Sequence, residues 1–351
     1  MEEKIGRSQL FWLVINIIVA TIILIVPRDL VEQGEQFGWV GIIIAGIIMF
    51  IIQAIILKLS FEFSSDGITS DFKELFGKVL GKLISLMYIV AIVYFVYFVI
   101  YQGVTFLVFS MPYMPSAMFW VGIGVIAAYL AWTGIENIVR VNKLGMIIVV
   151  TSIVVIIVVN IREINFEYLR PMVWDTNRAL RSSILASGWF MQPIFVILVL
   201  KPYLKSKKIA LSRSLYANLF SQLIITILTL STIMTLSSDL TSQLFFPFFN
   251  MARLALQGSE VVIIIAWILG ISLKVGIYFF IVLKGIEEVF NLNDYKLLVI
   301  PFAIALVSSV WYNTRIRVPD LYFAVNAAST LFLLHYPLLI IILLGYFIKR
   351  K

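Results

Sequence analysis

From Leu83 to Ile135 the chain carries no charged residue. A stretch of that length without charge cannot form the surface of a water-soluble domain, and the remainder follows suit. Across 351 residues 62% are hydrophobic and 13% are charged, against about 25% charged in an average soluble domain. A helix that crosses the hydrocarbon core needs about 20 predominantly apolar residues. Ten segments qualify: 9 to 27, 39 to 60, 83 to 109, 116 to 133, 144 to 161, 183 to 200, 209 to 236, 261 to 283, 297 to 312 and 321 to 348, numbered here as spans 1 to 10. The sequence predicts an all-α polytopic membrane protein of one transmembrane domain, 1–351, with the lipid bilayer as its surroundings.

Ten spans put both termini on the same side. Counted in alternate loops, one side holds eighteen Lys and Arg and the other eight, with Lys274 left inside span 8. The positive-inside rule then places both ends in the cytoplasm. The net charge of +8 falls in loops beside anionic headgroups, which argues against a nucleic-acid partner. With no cysteine, disulfides, thiolate metal sites and a thiol nucleophile are excluded. The first apolar run meets no small-residue cleavage site before Pro27, so span 1 is expected to be retained.

Two loops stand out. Residues 71 to 80, DFKELFGKVL, alternate charged and apolar positions at helical spacing and predict one amphipathic helix on the cytoplasmic surface. The outer loop between spans 7 and 8 carries Phe245, Phe246, Pro247, Phe248 and Phe249, too apolar for free solution, and is expected to form a lid or to lie at the interface.

Divided between 161 and 162, the chain yields two five-span halves, about 5–161 and 162–350, of opposite starting side: the arithmetic of an inverted repeat. The first span of each half is then the candidate for a broken helix with a binding site at mid-membrane. Span 1 offers Asn16, Ala20 and Thr21. Span 6 offers Ser182, Ser183, Ala186, Ser187, Gly188 and Gln192, followed by Pro193. Gly188 permits close approach and Pro193 removes an amide from the helical ladder, so the stronger break is expected around 187 to 193, with a simple proline kink as the alternative.

Several stretches carry a family likeness: Ser8-Gln9-Leu10, Val26-Pro27-Arg28-Asp29 with Gly34 and Trp39, Phe76 to Lys82, Gly134-Ile135-Glu136 with Arg140, Leu169-Arg170-Pro171, and Pro337-Leu338-Leu339. In this order and spacing the sequence resembles the B subunit of bacterial spore-germinant receptors, the spore germination permease family, within the amino acid/polyamine/organocation transporter superfamily. The resemblance runs from about residue 5 to 350. It implies a leucine-transporter-like fold with a 5+5 inverted repeat in the spore inner membrane. It also implies a small nutrient ligand such as an amino acid, A and C subunits as partners, and no cofactor. A free-standing proton-coupled amino-acid permease is the alternative. Where relatives carry a Gly-x-Gly type sequence in span 1, this chain has Ala20 and Ile22, so unwinding there is expected to be less favoured.

The implied pocket lies between spans 1, 3, 6, 8 and 10. Its candidate residues in spans 1 and 3 are Asn16, Val19, Ala20, Thr21, Tyr97 and Tyr101. Those in spans 6, 8 and 10 are Ser187, Gly188, Gln192, Ser272 and Asn326. Tyr94, Tyr97 and Tyr101 share one helix face beside Gln102, either lining a pocket or packing. Asn326, Ser329 and Thr330 form a polar stripe that interhelical bonding would also explain.

Lys274 is the sharpest feature. An ammonium at that depth costs roughly 2.5 to 3.5 kcal/mol on insertion scales and must face a cavity or a partner. In the fold the resemblance implies, span 8 lies against span 1 where sodium-coupled members hold an ion. Lys274 is therefore expected to place its charge where a cation would sit, bonding carbonyls around Val19 to Thr21. The competing reading is a lysine that only caps carbonyls. His335, the sole histidine, has no metal-ligand companions at suitable spacing. Gly122-Ile123-Gly124 reads as a packing patch, and no catalytic constellation supports an enzyme.

Overall fold

The structure, a computed structural model, describes residues 4–63, 67–170, 175–255, 258–316 and 321–349, with the side chains of 255, 313–316 and 321–334 excepted. In lipid every backbone polar group needs an internal partner, and these apolar segments meet that need as helices. They are α1 (Arg7–Ile22), α2 (Val26–Gly34), α3 (Gly38–Glu62), α4 (Ile68–Phe76), α5 (Lys78–Ser110), α6 (Ser116–Thr133) and α7 (Ile135–Val159). There follow α8 (Thr176–Val199), α9 (Lys207–Leu236), α10 (Ser238–Gln243), α11 (Pro247–Ala255), α12 (Glu260–Phe290), α13 (Val299–Ile316) and α14 (Leu321–Lys349). Among the described residues, extended pairing is confined to one parallel bridge between Ile5 and Leu204.

Apolar side chains cover the outside of the bundle as well as filling its core. Ile47, Ile51, Val90, Val125 and Leu144 are exposed, while Gln53, Asn218 and Gln222 are buried. Lipid tails solvate the aliphatic face, and the polar groups turn inward to find partners. Asn218 of α9 donates to the Gln53 Oε1 of α3 at 2.7 Å and, more weakly, to the Phe190 carbonyl of α8 at 3.4 Å. Gln222 reaches the Ile43 carbonyl at 3.0 Å because Gly46 leaves it room. Gly41 lets α3 approach α8 so closely that a Cβ there would lie 2.7 Å from the Ser182 carbonyl carbon.

The helices sort into two packed groups. One is α1, α2, α3, α8 and α9; the other is α5, α6, α7, α12 and α13, with α4 seated on α5. Helix α1 also touches α7 and α12, and α14 lies against both α5 and α8.

Three expectations are corrected. Helix α8 runs unbroken from Thr176 to Val199 through Pro193. Residues 186–200 are buried on every side, so neighbouring helices hold the ladder in place despite one missing amide. The break lies instead in span 1, at Ile23-Leu24-Ile25, where Ile25 N–H bonds back three residues to Ile22. Pro27, in the first turn of α2, cannot bond the Ile23 carbonyl and its ring clashes there. Proline thus interrupts the helix even though Ala20 and Ile22 stand where glycines were expected.

The amphipathic segment is also two pieces. Gly77 at φ +81° ends α4 and begins α5, so residues 78 to 80 belong to the third span. The glycine patch of span 4 is half packing: Gly124 faces Val307 of α13, while a side chain at Gly122 would meet nothing within 4 Å. The outer loop forms the expected lid. Helices α10 and α11 cover the bundle, with Phe246, Phe248 and Phe249 buried, and Phe106 of α5 meets Phe246 and Phe249 edge-on at 5.0 and 5.4 Å. Arg28 of α2 fastens this lid, donating to the Ser242 carbonyl at 3.3 Å with its guanidinium 5.0 Å from the Phe245 ring.

Candidate functional site

Lys274 sits fully buried midway along α12 and its ammonium donates to three oxygens: the Ile17 carbonyl at 2.6 Å, Thr21 Oγ1 at 2.8 Å and Gln192 Oε1 at 3.0 Å. Three donors meet three acceptors, so the cation is satisfied without a carboxylate. The Phe95 ring lies 5.3 Å away and Tyr278 6.0 Å away, adding cation–π attraction in a dry setting. Thr21 lies in the expected stretch but offers its hydroxyl, and the carbonyl taken, Ile17, lies two residues before Val19. Helix α1 is still wound at that point, and the Val19 carbonyl already accepts the Ile23 amide at 3.3 Å.

The remaining span 1 residues divide. Asn16 points away from the break, donating to the Gly270 carbonyl at 3.0 Å and to Met146 Sδ at 3.2 Å. Ala20 packs towards Gly270. The Thr21 carbonyl accepts from Gln102 of α5 at 3.5 Å, a long contact. On α8, Gln192 Oε1 is shared by Lys274 and by the Tyr278 hydroxyl at 3.3 Å, and its Nε2 is buried without a partner. Gly188 is buried one turn before it. Ser187 bonds the Tyr336 hydroxyl of α14 at 2.6 Å. Ser272 Oγ is buried and unpartnered.

Tyr94, Tyr97 and Tyr101 form one stack along α5, with successive ring centroids 6.3 Å apart. His335 lies between Phe195 and Phe95, at 5.1 and 6.1 Å from their rings. The side chains of Asn326, Ser329 and Thr330 lie outside the described residues. The structure thus gathers Thr21, Gln192 and Lys274 around one point, whereas Asn16 is engaged with Met146 and Gly270 and Ser272 Oγ meets none of them. Phe95 and Tyr278 complete the site, and sequence reading missed both. In a chain with 27 Phe and 15 Tyr, helical spacing alone singles out neither.

A second cluster was missed altogether. Lys201, just past α8, is buried with Asp71 of α4, at 2.6 and 2.8 Å from its two carboxylate oxygens. The Ser60 hydroxyl of α3 donates to Asp71 at 3.0 Å, and the Tyr346 hydroxyl of α14 donates to the same carboxylate at 2.7 Å. Lys201 also donates to the Ser60 carbonyl at 3.3 Å. Burial raises the Asp71 carboxyl above the usual aspartate range against the pull of Lys201, and it lowers the Lys201 ammonium. In sequence both residues look like ordinary loop charges at a span end.

A first span interrupted at residues 23–25, packed on the sixth and eighth spans and closed by a two-helix lid, defines a membrane protein of the leucine-transporter-like class. The likeness to solved structures is of fold alone. The chain is similar to a Na+-coupled sialic acid symporter in a substrate-bound outward-open state, with TM-score 0.72 and 13% identity over 99% of this chain and 80% of that one. It is similar to MhsT in complex with L-phenylalanine, with TM-score 0.72 and 12% identity over 97% and 89%. Inward-facing Mhp1 gives TM-score 0.66 and 13% identity over 99% and 78%.

Residues 4–318 match the family described as Spore germination protein, and the chain belongs to that family. Among curated relatives, spore germination protein YndE of Bacillus subtilis (strain 168) is 27% identical over 49% of this chain and 48% of its own length. Spore germination protein B2 of the same strain is 22% identical over 59% and 56%. The chain thus spans about half the length of the curated relatives it matches.

Proposed function

We propose that this chain is the B subunit of a spore nutrient-germinant receptor: a transporter-fold sensor in the spore inner membrane, with the basic end of the bundle and both termini cytoplasmic. Its ligand is a small nutrient of the amino-acid class, bound beside the break between α1 and α2, and its partners are the A and C subunits. Family membership supports the germination context, and the fold supports a mid-membrane small-molecule site.

The observation that carries the sensor reading is the placement of Lys274. Its ammonium lies between α12 and α1, and the family resemblance implies that sodium-coupled members of such a fold hold an ion between these two spans. A tethered charge cannot leave to either side, so a dissociating sodium ion has no step here. What remains is a tie between the two helix groups whose strength differs between conformations, and a ligand with different affinity for those conformations shifts their populations.

The alternative, a free-standing proton-coupled amino-acid permease, draws on the transporter fold. Purified protein in proteoliposomes separates the two. Binding of labelled amino acid without net uptake, lost in Lys274→Met, supports the sensor. Concentrative uptake driven by a proton gradient overturns it.

A further inference from the structure

We propose that Asp71 and Lys201 form the inner gate of the bundle, an ion pair that must break before the binding region opens at its basic end. The proposal adds a regulatory step to the function proposed above, but the geometry that carries it stands without a ligand.

The pair joins the two helix groups. Lys201 follows α8 directly, and Ser60 lies in the last turn of α3; these two helices pack against each other along their length. Asp71 belongs to α4, which sits on α5, where a side chain at Gly81 would collide with the Phe72 carbonyl oxygen at 2.5 Å. Tyr346 brings α14 to the same carboxylate. Four chain segments therefore converge on one ammonium and one carboxylate, whose side chains are 0% and 1% exposed.

Next to the pair, aromatic side chains also join the two groups. Phe72, next to Asp71, lies 6.3 Å from the Tyr88 ring, and the Tyr88 hydroxyl donates to the Phe195 carbonyl of α8 at 3.2 Å. Separating α8 from α5 at this end would expose both charges and undo these contacts. A buried pair contributes little net stability over an apolar pair, whereas removing one partner leaves an unpaired buried charge. Such an arrangement suits a closure that holds one state together yet opens when something else stabilises the separated state. A neighbouring tie, Lys349 to Glu74, is half exposed, while Thr69 of the same helix bonds Glu288 of α12.

The chain has no cysteine, so a single introduced one reports local access cleanly. Ser85, fully buried on α5 one turn from Tyr88, becomes the gate reporter as Ser85→Cys. Ser152, buried on α7, becomes the control as Ser152→Cys. Labelling by a membrane-impermeant maleimide is followed in inside-out and right-side-out vesicles without any nutrient, so failure of the sensor reading leaves the result intact. Asp71→Asn and Lys201→Met are each expected to raise Ser85→Cys labelling at least about tenfold while leaving Ser152→Cys unchanged. The charge swap Asp71→Lys with Lys201→Asp is expected to return it towards the parental rate. Lys205→Met, an exposed neighbour, is expected to change nothing. Parental labelling in folded single variants, or a parallel rise at both reporters, overturns the proposal.

Discussion

The Lys274 ammonium lies 2.6 Å from the carbonyl oxygen of Ile17, 257 residues apart in the chain, and so joins the eighth span to the first at the depth where charge is most costly. Thr21 and Gln192 take its two other hydrogens. Replacing it by methionine keeps the length but takes a donor from three oxygens, of which Gln192 Oε1 keeps the Tyr278 hydroxyl; each one left bare costs about 1–3 kcal/mol where no water reaches. Lys274→Met is expected to slow nutrient-triggered germination of spores at least about tenfold at unchanged protein level. An unchanged response at normal abundance would reduce Lys274 to a structural cap.

Glycines give a graded test of the packing. Gly41→Ala would drive a Cβ to 2.7 Å from the backbone of Ser182, and backbone cannot swing aside. Destabilisation by roughly 1–3 kcal/mol is expected. Gly122→Ala, with open space around it, is expected to be neutral or to gain up to about 1 kcal/mol from helix propensity. Thermal denaturation in detergent, run side by side, decides whether the α3–α8 contact is as tight as it looks.

Arg28 holds the lid by a carbonyl of α10 and the face of Phe245. Arg28→Ala removes both, with a loss of about 1–2 kcal/mol in lid closure. Faster proteolysis between α10 and α11, with overall melting little changed, is the expected result; equal rates would mean the aromatic contacts to Phe106 suffice.

Asp71 gives a signed pH dependence. Burial raises its carboxyl, so the folded chain takes up this proton at a pH where the unfolded chain stays ionised. Lys201, lowered by burial, pulls the other way in the pair's contribution to stability, so the carboxyl proton itself is the readout. The groups around the pair are Lys201, Tyr346 and Ser60, with Glu74 and Lys207 farther out. On acidification, infrared difference spectra are expected to show a protonated carboxyl appearing before the exposed carboxylates titrate, and to lack it in Asp71→Asn. Persistence of that band in Asp71→Asn would assign it elsewhere.

Most spans were legible because the bilayer imposes a length and a composition that a single chain must display on its own: among the described residues eight helices are long and apolar enough to cross it, and two shorter apolar helices, Arg7–Ile22 and His335–Lys349, lie where spans 1 and 10 were expected. The span from 116 to 133 coincides with α6 to the residue. Lys274 was legible for the same reason, since a charge amid apolar residues needs a partner. Which partner it takes was not, because Ile17, Thr21 and Gln192 become neighbours only when three helices pack. Nor could residue type alone decide between two proline-bearing spans. Pro27 breaks its helix because residues 23 to 25 turn there, while Pro193 does not because its neighbours enclose it on all sides. The Asp71–Lys201 pair was the least legible of all. In sequence a loop charge beside a span end looks solvated, and only the convergence of α3, α4, α8 and α14 takes water away and turns two ordinary charges into a buried tie.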